Sequence, residues 1–266
     1  MKKLLALALA FCAAAWPAGD AFSFVFLGDR TGETVAGVYE QVWSEVAKAR
    51  PAVVVSIGDT IQGGDDATAE AEWKAVKRLF GQVPLYLAPG NHDVWSAKSA
   101  ELYEKYSGHP LHYSFDHAQA HFTILDNSRG DNLTESEMAF LESDLAAHAR
   151  QPVKFIVSHR PSWIINVAFG NPQFPLHQLA KRYGVKYVIA GHVHQLIHAD
   201  VDGVTYLSLP SAGGHLRASE KYEDGWFFGY TRVEVNGTDV TFRVHDLKGR
   251  VTSLQDWGKT GLVALR

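Results

Sequence analysis

The residues Val53–Asp59, read as VVVSIGD, decide the fold. Three valines, Ser56 and Ile57 form a short apolar run rich in β-branched side chains, with Pro51 ahead of it and Gly58 behind. A run of that kind predicts a strand buried on both faces, as in a parallel sheet covered by helices. Gly58 lets the chain turn, so Asp59 emerges at the carboxyl end of the strand, where ligands bind in open α/β sheets. One aspartate there is no more than a turn residue. The arrangement repeats, however: Asp29, Asn91-His92, His159 and His192/His194 each follow an apolar, strand-like run.

Working outward, Phe22–Leu27 predicts the first strand, and Val35–Val46 carries apolar residues at helical spacing, ended by Pro51. Ala67–Phe80 reads as a helix and Val83–Ala88 as a third strand leading into Pro89-Gly90-Asn91-His92-Asp93. This βαβαβ order implies parallel strands joined by right-handed crossovers. His112–Asp116 and Ala120–Leu125 predict a hairpin, and Thr134-Glu135-Ser136-Glu137 a capping box opening a helix to about Ala149. Val153–Val157 delivers Ser158-His159-Arg160-Pro161; Ser162–Pro175 reads as a long irregular loop, and such loops are usually functional. Pro175–Tyr183 is a helix closed by Gly184, and Tyr187–Ala190 is the strand before Gly191-His192-Val193-His194. From Leu196 to His245 the pattern is mostly period-2, with turns at Asp202-Gly203 and Asn236-Gly237.

With 266 residues, 46% of them hydrophobic, the chain can bury a full core, and no linker or repeat divides it. A net charge of −4 without a basic patch argues against a nucleic-acid partner. Met1-Lys2-Lys3, the apolar Leu4–Ala15 and the small residues Ala13–Ala15 read as a secretory signal peptide. The expectation is an exported, periplasmic or secreted protein, cleaved between Ala15 and Ala21, with one domain over 22–266 and no membrane span left. Cleavage would remove Cys12, the single cysteine, excluding disulfides and thiolate ligands. No G-x-S-x-G elbow occurs, and Gly258-Lys259-Thr260 lacks the leading glycine and following helix of a phosphate-binding loop.

Singly, each polar residue has a bland explanation as a cap, turn or packing group. Together, after strands of one sheet, they face one crevice. Gly28-Asp29, Gly58-Asp59, Gly90-Asn91-His92-Asp93, His159 in VSHRP and Gly191-His192-Val193-His194 resemble, in order, the motif set of the calcineurin-like metallophosphoesterases. The resemblance runs from Phe22 to about His245. It implies an α/β fold in which a two-sheet β-sandwich of mixed parallel and antiparallel strands is flanked by helices, in four αββα layers. It also implies an exported phosphoesterase attacking phosphate esters with a metal-bound hydroxide at a dinuclear site. Asp59 would bridge the ions, Asp29 and His194 would complete the first site, and Asn91, His159 and His192 the second. His92 would be the non-ligand catalytic histidine, and Asp93 would orient it. Carboxylate, amide oxygen and imidazole suit two Mn, Fe or Zn ions.

One position departs from the pattern. The family usually has histidine two residues after the first aspartate, and here Thr31 stands there, so the first site is expected to be weak. Arg30 and Arg160 are candidate substrate-binding residues, and Ser211–His215 a candidate crevice wall. The competing reading is a catalytically silent metal- or phosphate-binding protein on the same fold. The substrate in the leading reading is a small phosphate ester.

Overall fold

The computed structural model describes residues 21–219 and 221–257; the leader pattern and Gly258-Lys259-Thr260 lie outside them. The first three strands, β1 (Phe22–Leu27), β2 (Val54–Ser56) and β3 (Leu85–Leu87), are linked by α1 (Val38–Ala49) and α2 (Ala69–Lys77). Both β1–β2 and β2–β3 pair in parallel. After α3 (Ala97–Ser107) comes the hairpin of β4 (Tyr113–His117) and β5 (Ala120–Ile124), with His117 opposite Ala120. Next are α4 (Glu135–Ala147), β6 (Val153–Val157), α5 (Ile164–Ala168), α6 (Pro175–Tyr183) and β7 (Tyr187–Ala190). The chain finishes with β8 (Ile197–Val201), β9 (Val204–Ser208), β10 (Gly229–Asn236), β11 (Asp239–Asp246), β12 (Val251–Ser253) and α7 (Leu254–Trp257).

Two six-stranded sheets result, ordered β12-β11-β10-β1-β2-β3 and β4-β5-β6-β7-β9-β8. β1, β2 and β3 pair in parallel in the first, and β5, β6, β7 and β9 in the second; the remaining neighbours pair antiparallel. Phe24, Phe26, Val55, Phe122, Phe155 and Val157 fill the space between the sheets. The opposite face of the first sheet is covered by Val42, Trp43, Trp73 and Tyr103 of α1, α2 and α3. That of the second is covered by Leu141, Leu145, Val167 and Leu179 of α4, α5 and α6. This is the expected four-layer arrangement. It explains why β1, β2, β6 and β7 read as continuous apolar runs, since both faces of each are buried.

The structure differs from expectation in three elements. α3 occupies Ala97–Ser107, where no helix was expected; Ser96 and Ser99 cap it reciprocally, in place of the usual glutamate or glutamine. Ser162–Pro175 is not wholly irregular, because α5 forms a single helical turn within it. Only half of the capping box of α4 forms. Thr134 Oγ1 accepts from the Glu137 N–H at 3.2 Å, but Glu137 pairs with His112 Nδ1 at 2.6 Å and accepts from the Asp126 N–H at 2.9 Å.

Candidate metal centre

Asp29 follows β1, Asp59 follows β2, Asn91-His92-Asp93 follow β3, His159 follows β6, and His192 and His194 follow β7. These carboxyl ends meet at one rim, to which both sheets contribute. The approach is too close for side chains at the turns: a Cβ on Gly90 would lie 2.1 Å from Asp59 N and 2.3 Å from Asp59 Oδ1. A Cβ on Gly191 would lie 2.5 Å from Asp29 Oδ2. The ligand candidates themselves carry backbone strain. Asp29, Asp59, His192 and His194 have φ of 51°, 56°, 69° and 61°, in the left-handed region that non-glycine residues avoid. Strain of that kind, on order 1–3 kcal/mol per residue, clusters at functional sites.

Two overlapping groups form. Potential ligand atoms of Asp59, His159 and His192 lie within 4.8 Å of one another, as do those of Asp29, Asp59 and His194, so Asp59 belongs to both. His159 Nε2 is 3.3 Å from Asp59 Oδ2 and 3.0 Å from Asn91 Oδ1. His192 Nδ1 is 3.2 Å from His159 Nε2, and His194 Nε2 is 3.9 Å from Asp29 Oδ1. Main-chain carbonyls fix the imidazole tautomers. His159 Nδ1–H donates to Ile57 O at 2.9 Å and His194 Nδ1–H to His215 O at 2.7 Å, which leaves each Nε2 lone pair facing the centre.

Among the side chains themselves, charge balance puts a proton on His159 Nε2, the proton that a cation would displace. Asp29 is fully buried, and burial, opposed by His194 and His159, raises its pKa. Burial also pushes Asp59 up, but the charge of the adjacent His159 imidazole, with His92, holds it at about 2. Burial likewise lowers His159, and the Asp59 carboxylate raises it to about 9. His192 is pushed down to about 3 by burial and by the positive charges of His159 and Arg160, and so stays a neutral ligand. Asp29 Oδ2, Asp59 Oδ2 and His194 Nε2 are buried without any hydrogen-bond partner. An orphaned buried polar atom costs about 1–3 kcal/mol. Converging acceptors without donors are what a cation completes, so these residues fit the metals that the donor set implies.

The remaining expectations resolve individually. His92 Nδ1–H donates to Gln62 O at 2.6 Å, and its backbone N–H to Asp59 Oδ1 at 2.9 Å, so His92 Nε2 is left for a substrate. Asp93 does not orient His92. Its buried carboxylate accepts from the N–H groups of Gly90, Thr60 and Ile61 at 2.9, 2.8 and 3.1 Å, tying the β3 turn to the Asp59 turn. Burial, and secondarily Asp59, raise its pKa to about 6. Arg30 Nη1 donates to Thr60 O at 3.3 Å, and the guanidinium lies over the Tyr39 ring. Arg160 sits at the rim: Nη1 donates to Asp131 at 2.8 Å and to His192 Nε2 at 3.3 Å.

Thr31 is buried and donates to Gln62 Oε1. The hydroxyl is therefore engaged, while the Gln62 carbonyl holds His92. The 211–215 loop walls the Asp29 side, since Ser211 Oγ donates to Asp29 O at 2.9 Å and Gly214 N–H to the same oxygen at 2.7 Å. His215, within the expected crevice wall, acts through its main-chain carbonyl. Sequence reasoning missed Gln62 and Arg217; Gln62 holds His92 through its main-chain carbonyl, for which side-chain identity gives no signal. Arg217 is exposed beside Gly32 and adds to the field that lowers His192.

Asp116, His121 and His148 are also close enough to share an ion. However, the imidazole rings of His121 and His148 stack 4.0 Å apart at 18°, so their lone pairs lie in nearly parallel planes and do not converge.

The family model for calcineurin-like phosphoesterases matches residues 34–196, which include Asp59, Asn91, His159, His192 and His194 but not Asp29. The chain is 28% identical to the 3',5'-cyclic adenosine monophosphate phosphodiesterase of Escherichia coli K12, across 60% of each protein. It is 25% identical to human tartrate-resistant acid phosphatase type 5 across 70% of this chain and 68% of that one. The alignment thus spans about 60% of the bacterial relative's length. Among solved structures, the purple acid phosphatase of yellow lupin seeds superposes with a TM-score of 0.67 at 16% identity, covering 88% of this chain and 53% of that one. The GAP50 protein of Plasmodium gives 0.62 at 17%, covering 87% and 86%.

Proposed function

This chain belongs to the calcineurin-like phosphoesterase family, and from that premise we propose that it is a metal-dependent hydrolase of small phosphate esters with a dinuclear centre. The observation that carries the proposal is the convergence of Asp29 Oδ2, Asp59 Oδ2 and His194 Nε2, all buried and all without hydrogen-bond donors. Asp29, Asp59 and His194 would hold one ion, and Asp59, Asn91, His159 and His192 the other. Cations bound there supply Lewis acidity toward the phosphoryl oxygens and activate a water at neutral pH. The chain's own contribution is positional. Gln62 O accepts from Nδ1–H of His92 and so turns Nε2 toward the substrate, where it would donate to the leaving oxygen when the ring carries both protons. Arg160, held by Asp131, presents its guanidinium beside His192 to a phosphate oxygen. The names of the relatives cover a cyclic diester and an acid phosphatase, and both substrate types fall within the proposal.

Export is part of this reading and rests on Lys2-Lys3 and Leu4–Ala15 alone. Among the described residues, no helix is long and apolar enough to cross a membrane. The test is phosphate release from aryl phosphates and bis(aryl) phosphates with Mn, Fe or Zn added, together with metal content. Asp59→Asn is expected to lose both metal and turnover, and His92→Ala to keep its metal while losing about 100-fold or more in kcat. Metal binding with no turnover in the wild-type protein would favour the silent binder instead. Thr31 is the feature that gives that reading its standing.

A further inference from the structure

Beside the metal edge runs a groove of about 470 Å³, within the size range of small-molecule sites. His192 and Arg160 form one end, next to the ligand cluster. Ile164, Ile165 and Val193 supply apolar wall, and Asp131 and Asn132 a polar margin. Ile165 is 64% exposed, one of three large apolar side chains so exposed among the described residues; another is Phe169, just past the end of α5. Ile165 lines the groove together with Ile164 and Val193, so it extends an apolar wall beside the candidate metal centre rather than standing alone. The charged side chains lining the groove, Arg160 and Asp131, are paired with each other at 2.8 Å, so its walls present no net charge to an occupant.

Resting on the hydrolase reading above, we propose that this groove holds the leaving alcohol of the substrate, and that the alcohol is uncharged and carries an aromatic or bicyclic ring. The phosphoryl group lies at the His192 end, and the ring lies against Ile164, Ile165 and Val193. The edge of the ring reaches the polar margin. Ile165 is then a specificity-determining residue that takes no part in bond breaking. Compact polar esters leave the groove to water and gain nothing from it.

The experiment compares 2-(2-naphthyl)ethyl phosphate with ethyl phosphate, two alkyl esters of similar leaving-group chemistry, on wild type, Ile165→Ser and Ile165→Asp. Wild type is expected to favour the naphthyl ester in kcat/KM. That preference is expected to fall about tenfold or more in both variants, with ethyl phosphate turnover within about twofold of wild type. Equal loss on both esters, or an unchanged ratio, overturns the assignment. A parallel calorimetric titration uses the matching non-hydrolysable phosphonates. If neither these esters nor the aryl and bis(aryl) phosphates are turned over, the hydrolase reading fails, yet tighter naphthyl binding that Ile165→Ser abolishes still upholds the groove. Equal affinity for both phosphonates in wild type overturns it independently of turnover.

Discussion

Asp93 shows how one buried carboxylate carries a site without touching what it serves. With three main-chain N–H groups donating to it, it fixes the relative position of the Asp59 and Asn91 turns. Asp93→Ala strands those buried donors, at about 1–3 kcal/mol each. The variant is expected to unfold several degrees earlier and to lose metal with Asp59. An orienting partner of His92 would instead lower kcat at unchanged melting temperature, so thermal denaturation and metal titration separate the roles. Thr31 makes the second case at this scale. Its hydroxyl is spent on Gln62, so an ion held at Asp29 would lack one strong ligand, and dialysed protein is expected to keep about one tight ion. Thr31→His is expected to bring the content toward two, as read by elemental analysis. Two tight ions in the wild-type protein would contradict this.

At the scale of elements, the turns are built to a tolerance that side chains exceed. Gly90→Ala drives a methyl into the Asp59 backbone and carboxylate and is expected to abolish metal binding. Gly108→Ala tests the contrast. Gly108 caps α3 at φ 78° with no atom within 4 Å, so only the left-handed backbone cost of about 1 kcal/mol is expected. The β4–β5 hairpin is tied to α4 through His121 and Asp144, with Ser114 and Thr123 also donating to Asp144. Burial lowers the pKa of His121, but Asp144 and Asp116 more than reverse it, raising it above 6.5. Burial raises that of Asp144, and His121, Thr123 and Ser114 more than reverse it, lowering it below 3.8. The histidine's contribution is therefore complete below 6.5 and fades as pH rises through its raised value. The aspartate's is complete above 3.8 and fades as pH falls through its lowered one. A melting series is expected to show the wild-type advantage over His121→Gln greatest between those two values. The elements visible in sequence were those whose pattern is local. VVVSIGD is apolar because both its faces are buried, so its strand and the aspartate after it could be read together. α3 escaped because its cap is a Ser96–Ser99 pair, and α5 because one turn is too short to show a period.

At the scale of the molecule, the ligand set bridges the sandwich. Asp29, Asp59 and Asn91 hang from β1, β2 and β3 of one sheet, and His159, His192 and His194 from β6 and β7 of the other. Below this rim the sheets are held by apolar contact among Phe24, Phe122, Phe155 and their neighbours. At the rim they meet through buried acceptors, where the charge of Asp59 helps raise the pKa of Asp29. A cation at the rim would relieve that repulsion and fasten the two sheets at that end. Because the site needs both sheets in register, metal held there would bind the folded chain and not the unfolded one, and stability would rise with its concentration. At 100 times Kd the gain is about 2.7 kcal/mol, which in a chain of this size corresponds to a melting shift of roughly 5–10 °C. Chelation is therefore expected to lower the melting temperature by that amount, and added Mn to restore it. Asp59→Asn, which removes the carboxylate common to both groups and also part of the repulsion, is expected to melt at the same temperature with and without Mn. Scanning calorimetry of the two proteins, each with chelator and with metal, reads all four values. A metal-dependent shift that persists undiminished in Asp59→Asn would mean that the ion which stabilises the fold is not held between the sheets.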